Sequence, residues 1–158
     1  MAIDRIDWHM ESISEEIPED EILERAGAHI GYYIEWAYKK GLYPKNSENY
    51  AVEECQKVIN SEVNGIQYLI ENCDTKFWDV DLDEQGLKFT LSAYYTYLEN
   101  YEMIVGHKFY TEKYNQEDLE KVSKYLDKLY EDYLNNSQTE QTKNEKQTIF
   151  EKFKSLFK

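Results

Sequence analysis

Histidine and tryptophan are rare in this chain, and they crowd into one short segment. Between Trp8 and Leu42 stand two of the three His and two of the three Trp: Trp8-His9, Ala28-His29-Ile30-Gly31, Trp36 and Gly41-Leu42. An imidazole ligates metals, moves protons and changes charge near neutrality. An indole beside it supplies a broad ring with one polar atom. Trp8, His9, His29 and Trp36 are therefore the candidate binding site. Ile22, Ala26, His29, Tyr33 and Trp36 recur at spacings of 4-3-4-3, which sets His29 beside an apolar helical stripe, one or two turns from Trp36. The bland alternative is a boundary histidine donating to a backbone carbonyl. Gly31 beside it fits the close approach of another backbone.

No reaction follows from local motifs. His9-Met10-Glu11 matches the His-x-Glu of zinc deaminases, but their Pro-Cys-x-x-Cys is missing. His9, His29 and His107 fit none of the spacings that place imidazoles on one helix face around an ion. Asp79-x-Asp81-x-Asp83 begins like a calcium loop, yet its sixth and twelfth positions are Glu84 and Thr90. Asp81 or Asp83 is expected to cap a helix instead. There is no Gly-x-Ser-x-Gly, no activating motif around Cys55 or Cys73, and no phosphate-cradling glycine loop. The expectation is no catalytic residue, no metal and no cofactor.

The elements that would position these residues are helical. Pro18, followed by three acids, opens a helix with its apolar positions at Leu23, Ala26, Ile30, Tyr33 and Ala37, and Lys39, Lys40 and Gly41 close it. A second helix is expected from about Ser47 to Asn72, striped by Val52, Cys55, Ile59, Val63, Ile66 and Ile70. On one such rod Cys55 and Cys73 would stand roughly 27 Å apart, too far to bridge. Asp74 to Lys88 reads as a connector. A third helix, about Phe89 to Val105, has its seam at Leu91, Tyr94, Leu98, Tyr101 and Val105. A fourth starts at the Asn115 cap, with Leu119, Val122, Leu126, Leu129 and Tyr133 at 3-4-3-4. Residues 135–148 contain no large apolar side chain and read as a polar linker. Residues 149–158 read as a basic amphipathic tail helix. The expected class is all-α: a bundle of four main helices in an acidic domain, 1–134, then linker and tail.

Net charge is −14, with −16 in residues 1–134 and +2 in the tail. Such a body excludes nucleic acid as a partner and suits a basic protein. No secretory leader and no apolar run of membrane-spanning length is visible, so a cytoplasmic protein without membrane attachment is expected. Tyrosine accounts for 15 of 158 residues. Adjacent pairs such as Tyr32-Tyr33 and Tyr94-Tyr95 turn rings to different faces, so Tyr32 and Tyr95 are candidates for a protein interface. Phe150, Phe153 and Phe157 give the tail an apolar face for docking on the body or on a second copy of the chain.

The order Asp7-Trp8-His9, Ala26-Gly27-Ala28-His29-Ile30-Gly31, Trp36, Gly41-Leu42 resembles an uncharacterised bacterial family, a domain of unknown function. Its marks are a Trp-His and a His-Ile-Gly-x4-Trp. Asp83-Glu84-Gln85-Gly86, Phe89-Thr90, Tyr94-Tyr95, Tyr97 and Asn100-Tyr101 are similar to its second block. The resemblance spans roughly residues 3–134. By analogy with small acidic bacterial proteins, the reading is a non-enzymatic protein-binding domain of the kind that neutralises a toxin. The alternative is a histidine-centred enzyme or metal-dependent sensor using His9 and His29.

Overall fold

A computed structural model describes residues 1–45 and 52–156, with side chains for 1–45 and 52–137. The described residues form two compact units, Met1–Leu126 and Asp127–Lys158. In the first, strand β1 (Ala2–Arg5) leads through two 3-10 turns, Ile6–Trp8 and Met10–Ser12, and a third, Glu19–Glu21, to helix α1 (Ile22–Lys39). Helices α2 (Val52–Ile59) and α3 (Gly65–Asn72), strand β2 (Lys76–Trp78) and helix α4 (Glu84–Val105) follow. Helix α5 runs from Gln116 to Leu156. The mainly helical class holds, with a small antiparallel sheet added: Arg5 pairs with Lys76 and Asp4 with Phe77. No helix among the described residues is long and apolar enough to cross a membrane.

Helix α1 is the hub. A single apolar stripe was expected on it, yet every residue from Ala26 to Tyr38 is buried. A helix buried on all sides must be covered on all sides. Here β1, α2, α3 and α4 do so. Glycines set the approach of α3: a Cβ on Gly31 would stand 2.6 Å from the backbone N of Ile66, and one on Gly65 would overlap the Gly31 carbonyl oxygen. Glu35, 2 % exposed, finishes this junction. Its Oε2 accepts the Gly65 N–H at 2.9 Å and the Tyr114 hydroxyl at 2.7 Å, and Lys39 reaches its Oε1 at 2.6 Å.

The long second helix of the sequence reading is in fact two. The chain turns at Ser61, in the left-handed region at φ 59°, and restarts at Asn64. There Asn64 and Gln67 form a reciprocal capping box, 2.9 and 3.1 Å. Cys55 and Cys73 are therefore not on one rod; both are buried, free thiols. Residues 46–51, where that helix was expected to begin, lie outside the described residues. The expected connector holds β2 and the first turn of α4, which Asp83 caps through the Gly86 N–H at 2.7 Å. Leu91 was placed on the buried seam of α4, but it is 62 % exposed, and Phe89, Thr90, Ala93 and Tyr97 lie inward instead. Asn115 caps α5 as expected, accepting the Asp118 N–H at 2.9 Å. Residues 135–148, read as a linker, lie within α5.

The Gly31–Gly65 contact leaves no room for a methyl group. Gly31→Ala and Gly65→Ala should each lower the unfolding free energy by about 3 kcal/mol, the upper end of overpacking costs. The double variant should lose less than the sum, because both methyls press on one contact. Urea unfolding of the three variants checks this.

Candidate functional site

Strand β1 delivers a residue that the sequence did not single out. Asp4, paired opposite Phe77, is 3 % exposed and points its carboxylate at both N-terminal histidines. His9 sits between the two 3-10 turns that follow the strand. Its Nε2 is 2.7 Å from Asp4 Oδ1 and its Nδ1 is 2.7 Å from the Tyr110 hydroxyl. His29 comes from the middle of α1. Its ring stands edge-on to that of His9, centroids 4.5 Å apart, and is walled by Tyr101, Phe109 and Tyr110. Tyr94 of α4 donates its hydroxyl to Asp4 Oδ2 at 2.8 Å.

Tyr110 is held firmly. Its backbone is left-handed, φ 67°, which costs a side-chain-bearing residue on the order of 1 kcal/mol. Arg25 of α1 fixes the loop by donating to the Thr111 carbonyl while its other nitrogens grip Glu21. The Glu102 carboxylate accepts the Phe109 N–H.

The electrostatics of the cluster are unequal. Burial alone would raise the Asp4 carboxyl pKa, but the imidazoles of His29 and His9 outweigh it and hold the group well below the ordinary carboxylate range. Asp4 is thus an anion, so His9 Nε2 carries the hydrogen between them, and Nδ1 shares a hydrogen bond with the Tyr110 hydroxyl. Burial pushes His29 down, more than the Asp4 charge pushes it up, so this ring is neutral near pH 7. Its Nε2 has no hydrogen-bond partner. It lies 3.4 Å from Asp4 Oδ2, close but without hydrogen-bond alignment. The Tyr110 phenol is raised by burial and by the Asp4 and Glu102 charges, and stays protonated. Two kinds of chemistry are open to this set: proton exchange along Tyr110–His9–Asp4, and ligation of a cation by Asp4, His9 and His29, whose donor atoms all lie within 4.8 Å of one another.

The cluster adjoins a groove of about 400 Å³ whose lining includes Asp4, His9, Trp8, Leu91, Tyr94 and Leu98. Trp8 is 56 % exposed there. Three of the four residues expected to form the site are therefore gathered, and Trp36 is not. It lies in the core against Tyr33 and Phe89, because seven residues along a helix are about 10.5 Å of rise from His29. His107 also stands apart, 2.7 Å from Asp118 at the start of α5. Tyr32, expected at an interface, is 1 % exposed; its ring stacks on Tyr114 and its hydroxyl accepts the Asn115 N–H. Tyr95 is 73 % exposed and lines the groove. The side chains of Phe150, Phe153 and Phe157 lie outside the described residues. Asp4, Tyr94 and Tyr110 were missed. Asp4 is one acid among 32, and no local pattern marks it.

Fold and site together define a mainly helical domain carrying a buried Asp–His–His cluster beside an apolar groove. Residues 2–142 match the model of the family described as a domain of unknown function (DUF7832), and the chain belongs to that family. No curated protein and no solved structure matches the chain.

The His107–Asp118 pair has a pH signature. Burial opposes charge on this partly buried ring, but the Asp118 carboxylate and the Lys108 carbonyl outweigh it and raise the pKa. The folded value thus exceeds the unfolded one, about 6.5. The stabilisation is complete below that value and fades as pH rises through the folded pKa. His107→Gln should therefore cost more stability at about pH 6 than in alkaline solution, read from urea unfolding across pH.

Proposed function

We propose that this domain is a histidine-centred small-molecule site: the apolar body of a ligand lies along the Trp8–Leu91–Leu98 groove and its polar end meets the Asp4–His9 pair. One observation carries the reading. A buried carboxylate, two imidazoles and a phenol converge beside a groove with largely apolar walls, the arrangement expected of a ligand site rather than of a packed core. The chemistry available at the polar end is proton exchange through His9, backed by Asp4 and Tyr110. His9 suits this better than His29, being partly exposed where His29 is sealed.

Binding of a basic protein, toxin neutralisation included, rests on charge and on a tyrosine-rich exterior. The charge supports it still. The tyrosines support it less, because Tyr32, Tyr33, Tyr38, Tyr68, Tyr94, Tyr97 and Tyr101 are core residues.

Fluorine NMR tests the small-molecule reading with 4-fluorobenzyl alcohol and 4-fluorotoluene as probes. The alcohol should broaden in the presence of the protein, several-fold more than the toluene, which lacks the polar end. Leu98→Trp, which fills the groove, should abolish the effect with the far-UV circular dichroism unchanged. Equal behaviour of the two probes, or broadening indifferent to Leu98→Trp, overturns the reading.

A further inference from the structure

We propose that Asp4, His9 and His29 are the protein ligands of a divalent transition-metal ion of the zinc type, with Tyr94 and Tyr110 as the residues that orient them. The proposal rests on the reading that this cluster is the functional site, and adds what occupies it.

Four features of the cluster support the assignment. The first is the His29 nitrogen. Nε2 is sealed from water and has no hydrogen-bond partner, yet it lies 3.4 Å from a carboxylate oxygen. If it carries a hydrogen, a buried donor goes unused; if it carries a lone pair, that pair faces an anion. Either arrangement is costly in a dry interior. A cation between the two groups removes the cost in the lone-pair form.

The second is spacing. Zinc binds imidazole nitrogen and carboxylate oxygen at about 2.0–2.2 Å, so two ligands of a tetrahedral ion stand about 3.4 Å apart. Asp4 Oδ2 and His29 Nε2 are already at that separation. The His9 Nε2–Asp4 Oδ1 pair is closer, 2.7 Å, because a hydrogen bridges it. On binding, the ring hydrogen moves from Nε2 to Nδ1, which then donates to the Tyr110 oxygen, so the imidazole stays neutral and the pair opens by some tenths of an ångström.

The third is the set of outer contacts. A ligating imidazole normally has its other nitrogen hydrogen-bonded, and a ligating carboxylate is itself hydrogen-bonded. Tyr110 meets His9 Nδ1 at 2.7 Å and Tyr94 donates to Asp4 Oδ2 at 2.8 Å. Both phenols reach the cluster from distant parts of the chain.

The fourth is the donor chemistry. Two imidazoles and one carboxylate favour zinc, iron or cobalt over magnesium and calcium, which take oxygen. Three protein ligands leave a fourth position, and His9, the most exposed of the three, marks the groove side for it.

Tag-free protein, stripped with chelator, is titrated calorimetrically with zinc, and separately with magnesium and calcium; cobalt is followed by its visible absorption. The expected result is one zinc per chain, a tetrahedral cobalt spectrum, and at least a tenfold preference over magnesium and calcium. His9→Gln and His29→Gln should each weaken zinc binding at least a hundredfold. Tyr110→Phe should weaken it about tenfold. His107→Gln should change nothing, since His107 and Asp118 are a separate pair at the start of α5. His29 is buried and its variant can unfold; His9→Gln, at a partly exposed position, and Asp4→Asn then decide. No stoichiometric zinc, affinity unchanged in His9→Gln, or affinity lost in His107→Gln overturns the proposal. Metal-free protein that still binds 4-fluorobenzyl alcohol while refusing zinc refutes the metal and spares the small-molecule reading; zinc bound without any probe does the reverse.

Discussion

A helix with thirteen consecutive buried residues imposes the conditions that the rest of the first unit meets. Such a helix needs neighbours on every side, and one neighbour must come very close. Gly27 and Gly31 strip the surface of α1 so that the start of α3 can seat on its backbone. The polar groups this closeness traps must then find partners inside. Glu35 serves that need at the α1–α3 junction, taking the Gly65 N–H that the turn before α3 leaves free.

Tyrosine is the second half of the same solution. A core built from leucine would fill space but bond nothing. Here the phenols fill space and carry a hydroxyl to a specific partner: Tyr33 to Thr90, Tyr97 to the His29 carbonyl, Tyr32 to the Asn115 N–H, Tyr94 to Asp4. Each long-range contact fixes one element against another with an angular preference that apolar packing lacks. The interior therefore accounts for seven of the fifteen tyrosines. Within the cluster of Asp4, His9 and His29 the satisfaction stops short at His29 Nε2.

Much of the helical framework could be read from the chain, because helix ends are local chemistry. Pro18 ahead of α1, Gly41 after it, Asp83 before α4 and Asn115 before α5 all act within four residues of their partners. The break between α2 and α3 was legible too, in Asn64-x-x-Gln67, but the 3-4 spacing of apolar residues across it gave the stronger signal. The crowding of His9 and His29 marked the right segment. What completed the site was not local. Tyr94 lies 90 residues from Asp4, and Tyr110 lies 101 from His9. Asp4 owes its place to a four-residue strand in which its partner, Phe77, is 73 residues away, and a strand so short leaves no periodicity to detect. Trp36 misled for the opposite reason: its spacing from His29 suggested a shared face, while the rise of the helix separated them.

The span of that cluster along the chain has a thermodynamic consequence. Its members sit at positions 4, 9, 29, 94 and 110, so the unfolded polypeptide offers nothing comparable for an occupant to hold. Any molecule or ion that settles there favours only the assembled state, and its concentration in the cell sets how much of the domain's folding free energy is borrowed from it.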